Sequence, residues 1–220
     1  MLDLRAPALL AEEGERLVRE VYKRDFRQRD AAIRDRDSWK LERLQHFEEQ
    51  GSTSRDALRR GDWEEALRLL DARRDGLLAS YREDESRRSF FHRVRVVEWP
   101  LTPYLQWELH SLRQHAQCGA RIRVVGAEVV AASEDDELVP EVVILGGRTL
   151  YQVLYTDSGA PNGAIRFTGP ELIGRWESYV QQLYAAGEDV MRYFDRRVAD
   201  LPPPKTKTSP AAKTKTTKAE

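Results

Sequence analysis

The chain has 220 residues, 36 of them Lys or Arg and 37 Asp or Glu, for a formal net charge of −1. That balance excludes a role in which the whole protein acts as a polycation on nucleic acid or on an acidic membrane surface. Its single cysteine, Cys118, excludes an internal disulfide framework and fits a reducing compartment, and no apolar run approaches the roughly 20 residues that span a bilayer.

The first residues, Met-Leu-Asp-Leu-Arg-Ala-Pro, show no signal-peptide h-region, so a cytoplasmic protein without membrane association is expected. Residues 8–90 read as helical throughout. Leu10, Leu17, Val18, Val21, Tyr22 and Phe26 form a narrow apolar stripe in a dense mixture of Arg, Glu and Asp, and a helix of that kind needs a partner to bury its stripe. Trp39, Leu44 and Phe47 continue the stripe to Gly51. Ser54 can cap a short helix, Gly61 breaks it, and Asp62 followed by Glu65 resembles a capping box. Trp63, Ala66, Leu67 and Leu70 then supply a buried face.

From Arg93 to Val125 the pattern is strand, proline turn, helix, glycine stop, strand. The β-branched runs are strand-like, and Pro100 ends the first of them. Thr102 and Pro103 suit the N-cap and first helical position. Leu105, Leu109, Leu112 and Ala116 form one helical stripe, and Gly119 is placed to close it. A strand over 141–145 follows, then a hairpin turn at Gly146-Gly147 and a returning strand over 148–156 that is apolar on both faces. Residues 164–167 suggest a short last strand. Pro170 opens one long helix on which Ile173, Trp176, Val180, Leu183, Gly187, Val190 and Phe194 keep a spacing of three and four; it either docks on the sheet or pairs with a partner helix. Pro202-Pro203-Pro204 ends the ordered part, and the low-complexity remainder is expected to be disordered.

The fold class that follows is α+β or α/β, in three parts. Residues 1–89 form a helical region. Residues 90–200 form a mixed-sheet domain with a β-α-β unit, a β-hairpin and the long C-terminal helix, and 201–220 form a basic tail.

Most candidate chemistry fails on spacing. His110, His115 and Cys118 share one helix and its end, but His-x4-His is a poor ligand spacing and no Cys-x2-Cys or His-Glu-x-x-His occurs. The other two histidines are His46 and His92. Gly146-Gly147-Arg148 is followed by a strand, not a phosphate-binding helix, and Asp157-Ser158-Gly159 lacks the context of a hydrolase elbow. The acidic run 133–137 reads as a solvated turn. No catalytic residue, metal site or cofactor is therefore expected. Trp99, Tyr104, Trp107 and Arg123 are the candidate ligand or partner contacts, as aromatics beside an arginine. An enzyme would need a convergent polar pocket around His110, Arg121 or Arg148. In the tail, Lys205, Lys207, Lys213, Lys215 and Lys218 are candidates for salt-sensitive phosphate contacts, without aromatics to stack on bases.

The blocks Ser38-Trp39-Lys40-Leu41-Glu42-Arg43, Phe47-Glu48-Glu49, Gly61-Asp62-Trp63-Glu64-Glu65-Ala66-Leu67 and Pro100-Leu101-Thr102-Pro103-Tyr104-Leu105-Gln106-Trp107-Glu108-Leu109 resemble an actinobacterial family of unknown function over roughly residues 38–200. That resemblance implies a small cytoplasmic protein, some of whose relatives are encoded near helix-turn-helix regulators. The order of elements over 90–195 also resembles one half of the phospholipase D fold, but no histidine is followed two places on by lysine, so the catalytic motif of that fold is absent. The expected function is a non-enzymatic regulatory or adaptor protein that works through protein contacts. The partner would be a helix-turn-helix regulator or a second copy. The alternatives are a nucleic-acid-associated protein using its tail and a phosphodiesterase-like enzyme.

Overall fold

The β-branched runs on either side of Pro100 form neighbouring parallel strands of one sheet. They are seen in a computed structural model that describes residues 5–134 and 137–205. Its strands are β1 (Glu15–Leu17), β2 (Ser38–Glu42), β3 (Phe91–Val97), β4 (Arg121–Gly126), β5 (Val142–Leu145), β6 (Thr149–Tyr155), β7 (Pro161–Phe167) and β8 (Glu188–Asp189). They are ordered β1-β7-β6-β5-β2-β3-β4-β8. The helices are α1 (Arg19–Ala31), α2 (Thr53–Arg59), α3 (Trp63–Asp71), α4 (Arg74–Ser86), α5 (Pro103–Gln117), α6 (Ala127–Val130), α7 (Pro170–Ala186) and α8 (Val190–Arg197).

The β3-α5-β4 unit forms as its local signals dictate. Thr102 caps α5 by accepting the Leu105 N–H at 3.0 Å, Pro103 opens it, and Gly119 ends it at φ +115°. The hairpin at Gly146-Gly147 forms with both residues at positive φ, +54° and +64°, and joins antiparallel β5 and β6.

Two expectations are corrected. Residues 8–90 are not helical throughout: β1 lies at one edge of the sheet, and β2 lies inside it, parallel to β3 and antiparallel to β5. The alternation Ser-Trp-Lys-Leu-Glu puts Trp39 and Leu41 on one face and Lys40 and Glu42 on the other. Pairing along both edges of β2 outweighs the helical reading of its charged residues. The single long C-terminal helix is also interrupted. At Gly187 a Cβ would lie 2.8 Å from the Cβ of Arg123, so the glycine lets the backbone close on β4. There Glu188 and Asp189 pair with Val124 and Arg123, and the Asp189 carboxylate caps α8.

The sheet has a helical layer on each face. On one face α7 buries Ile173, Trp176, Val180 and Leu183 against Trp39, Leu41, Val94, Val96 and Ile144; of the two roles considered for this helix, it takes the docked one. On the other face α5 and α8 pack on Val97, Ile122 and Val124. There α1 packs on Val143, Leu145, Tyr151 and Ala164 through Val21, Tyr22 and Phe26. The α2–α3 hairpin packs on α5 through Ala57, Leu58, Ala66 and Leu70 against Tyr104 and Trp107. Among the described residues, no helix is long and apolar enough to cross a membrane.

Candidate functional site

The second face is covered from two sides, by α1 and by α5 with α8, and a cleft of about 770 Å³ remains on it, walled by α1 and α4 with His115 of α5 beside them. Its floor includes Lys40 of β2 and Arg93 of β3. These residues are direct cross-strand partners in the parallel register. Like charges in that relation are destabilising, so something nearby must offset them. Glu42, two residues along β2 and therefore on the same face, does so: its Oε1 is 2.5 Å from Lys40 Nζ and its Oε2 is 3.5 Å from Arg93 Nε. Glu42 is itself buried, and its Oε2 accepts no hydrogen bond among the described residues. Burial opposes its charge, but Arg93, Lys40 and Arg95 outweigh burial and hold the carboxyl below the usual range.

Arg95 locks this arrangement from beneath. It is fully buried and faces Glu42 in register. Its Nε and Nη2 lie 2.9 and 2.8 Å from Glu108 Oε2 on α5. Its Nη1 donates to the carbonyls of Glu42 and Val96, and its Nη2 to that of Leu44. The guanidinium therefore ties the end of β2 to β3 and α5, and a planar, permanently charged fork is suited to that task. One carboxylate is shared between two cations in the cleft floor, while Arg95 and Glu108 neutralise each other below it. The floor is left with a net positive charge.

The walls carry five aromatic rings, with the charged side chains of Glu20, Lys23, Arg27 and Asp84 among them in balanced number. Tyr22 and Phe26 come from α1, Tyr81 from α4, Phe91 from β3 and Tyr155 from the end of β6. His115 of α5 also lines the cleft, with Nδ1 2.7 Å from the Tyr81 hydroxyl. Burial, and then Arg93 and Arg73, push the His115 pKa down to about 4, so at neutral pH the ring is an uncharged hydrogen-bonding group. A net-positive floor under aromatic walls can hold a small anion that carries a flat apolar body.

The sequence-derived candidates lie elsewhere. Tyr104 and Trp107 are core residues, 2% and 1% exposed; the Tyr104 hydroxyl donates to Glu49 and the Trp107 indole N–H to Ser54. Trp99 is 44% exposed, donates to the Tyr193 hydroxyl at 2.9 Å and has the Arg197 guanidinium over its ring. Arg123 donates to the Gly187 carbonyl at 3.2 Å and lies near the Tyr184 ring. None of the four lines the cleft. His110 packs edge-on between Trp63 and Phe194, and Arg121 and Arg148 line different cavities. Lys205 is exposed; Lys207, Lys213, Lys215 and Lys218 lie outside the described residues, as does part of the acidic run. Lys40 was hidden by the helical reading of its segment. Arg93 was legible, because Arg-Val-Arg-Val in a strand sends both arginines to one face.

A family model described as a domain of unknown function matches residues 24–195. No curated protein and no solved structure matches the chain.

Proposed function

The chain belongs to the family described as Domain of unknown function (DUF6879), and on that premise we propose that it is a non-enzymatic regulatory protein that binds a small organic anion in the cleft floored by Lys40 and Arg93. The observation that supports this reading is the like-charged cross-strand pair, set under aromatic walls and only partly compensated by Glu42. A pairing that weakens the sheet is retained where charge is needed for binding. The groups beside it can hydrogen-bond such a ligand: His115 is uncharged at neutral pH and already meets the Tyr81 hydroxyl. The reading includes a cytoplasmic, actinobacterial setting and a response passed on by contact with a protein partner, either a helix-turn-helix regulator or a second copy. Any contact with nucleic acid would come through the lysines of the tail. The likeness to half of a phospholipase D fold adds only the order of elements.

The test uses the dye anilinonaphthalene sulfonate, an aromatic anion whose fluorescence rises in apolar clefts. Native protein is expected to bind it saturably. The K40Q/R93Q variant should bind it about tenfold more weakly, the loss expected for one charge-assisted contact. Phenylnaphthylamine, an uncharged relative of the dye, should bind both proteins alike. Equal affinity of the two proteins for the sulfonate would refute the reading.

A further inference from the structure

A second concentration of positive charge lies at the C-terminal end of α1. Where the helix ends, the chain passes the β5–β6 hairpin and leaves a pocket of about 340 Å³. Arg29, Arg34, Arg36 and Arg148 line it, together with Thr149 and Ile33. Arg29 is the only one of the four with an ion-pair partner among the described residues: its Nε is 3.0 Å from Asp25. Arg34 spends Nη1 on the carbonyls of Ala31 and Ile33, both at 2.7 Å. Arg36 and Arg148 are exposed. The carboxylate nearest the hairpin, Glu177, accepts the Trp39 indole N–H at 3.1 Å. Glu177 lies beside Arg36 and offsets part of this charge, but four guanidinium groups line the pocket against Asp25 and Glu177, so positive charge remains in excess there. The hydroxyl of Thr149, a buried residue, accepts a hydrogen bond from Arg29 Nη1 at 3.2 Å, which leaves its own proton to give away.

We propose that this pocket is a separate anion site that takes a phosphoryl group, free or as a monoester. The donor set selects the ligand. Three forked cations and a hydroxyl outnumber the two oxygens of a carboxylate but match the oxygens of a tetrahedral phosphate, which guanidinium groups engage two at a time. The pocket is open to solvent, so binding weakens with added salt.

Isothermal titration of the full chain with inorganic phosphate, with phenyl phosphate and with acetate, at matched ionic strength, tests the proposal. Both phosphates should bind and acetate should not; tighter binding of the ester identifies an esterified ligand, and equal binding identifies free phosphate. R36Q/R148Q should weaken phosphate binding by about tenfold or more, with R34Q as a second variant if the first fails to fold. K40Q/R93Q should leave phosphate binding intact, which separates this site from the cleft and its fate from the dye experiment. Three results would each overturn the proposal: acetate binding as well as phosphate, affinity unchanged in R36Q/R148Q, or affinity for a single-stranded oligonucleotide with none for inorganic phosphate.

Discussion

Replacing Glu42 with glutamine is the sharpest probe of the cleft floor, because stability and ligand affinity should move in opposite directions. Glu42 is 5% exposed, faces Arg95 in register and is shared by Lys40 and Arg93. Removing one partner of a buried ion pair costs about 3–5 kcal/mol. Glutamine keeps an oxygen that can still accept from Lys40, which places E42Q near the lower end, about 3 kcal/mol. The sign of the pH dependence follows from the depressed carboxyl. In the native protein the charged form is favoured by folding, so its contribution is full above the unfolded-state value, 4.5, and is lost as pH falls through the lower folded value. E42Q lacks that component, so the two stability curves should separate at pH 7 and converge in acid. Urea unfolding followed by tryptophan fluorescence, at pH 7 and at a series of lower values, measures this. The same variant leaves Lys40 and Arg93 without their shared carboxylate and should bind anilinonaphthalene sulfonate more tightly, by about tenfold for each 1.4 kcal/mol gained. If E42Q is as stable as the parent at pH 7 with the same acid slope, or folds normally and binds the dye more weakly, the electrostatic account of the floor is wrong.

Glu141 should behave in the opposite sense. Burial, followed by Glu42, pushes its pKa up to about 7, although its Oε1 accepts the N–H groups of Arg43 and Leu44, each at 2.6 Å. Folding therefore favours the protonated form, and this group's contribution declines as pH rises from 4.5 towards 7, by up to about 3 kcal/mol. E141Q keeps the accepting oxygen and should remove that decline, seen as a gain over the parent in urea unfolding at pH 8 that is absent at pH 4. R95M should cost about 3–5 kcal/mol because Glu108 is left buried without its partner, and R95M/E108M should recover much of the loss in thermal melts; a double variant no better than the single one would rule out the ion pair as the cause. Gly163 sits at φ +85°, where a Cβ would be 2.1 Å from the Leu17 carbonyl oxygen. G163A should cost about 2 kcal/mol and speed hydrogen exchange in Glu15–Leu17, and unchanged exchange there would show that the β1 edge does not depend on this glycine.

The elements legible in the sequence were those whose signals are local. Thr102, Pro103 and Gly119 bound α5 with their own backbone chemistry, and Gly146-Gly147 supplies the positive φ of its turn. What could not be read depended on partners distant in the chain. Ser38–Glu42 carries two charged residues, and only β3 and β5, about 50 and 100 residues further on, make it an inner strand. Gly187 kept the apolar spacing of one helix, and its use as a close approach to β4 shows only once Arg123 is beside it. The site was lost for the same reason. Trp99, Tyr104 and Trp107 drew attention by residue type, and two of them are core, whereas Lys40 and Arg93 gain meaning only as neighbours across two strands. Arg148 was singled out for a polar pocket; it lines one, but its companions come from α1 and the segment after it, which were read as a charged helix in need of an unspecified partner.

The two sides of the cleft are held with unequal force, and this bears on how a bound anion could be reported. The floor is fixed: Arg95 is fully buried with its donors spread over β2, β3 and α5, and α5 itself has eight buried residues. The walls are not held in that way. Neither α1 nor α4 contains a buried residue, although between them they contribute Tyr22, Phe26 and Tyr81 to the cleft. Elements with few buried contacts open at the low end of a protein's range of local stabilities, and binding surfaces are drawn from that end. A ligand that lays its flat body against Tyr22 and Phe26 adds contacts to a helix with no buried residue, so α1 gains more order than the sheet beneath it. The same helix carries Arg29, with Arg34 and Arg36 just beyond it, into the second pocket. A change in how firmly α1 is seated is therefore felt both along the helix and at its C-terminal end, and by linkage any effect of one anion on the affinity of the other must be matched in reverse.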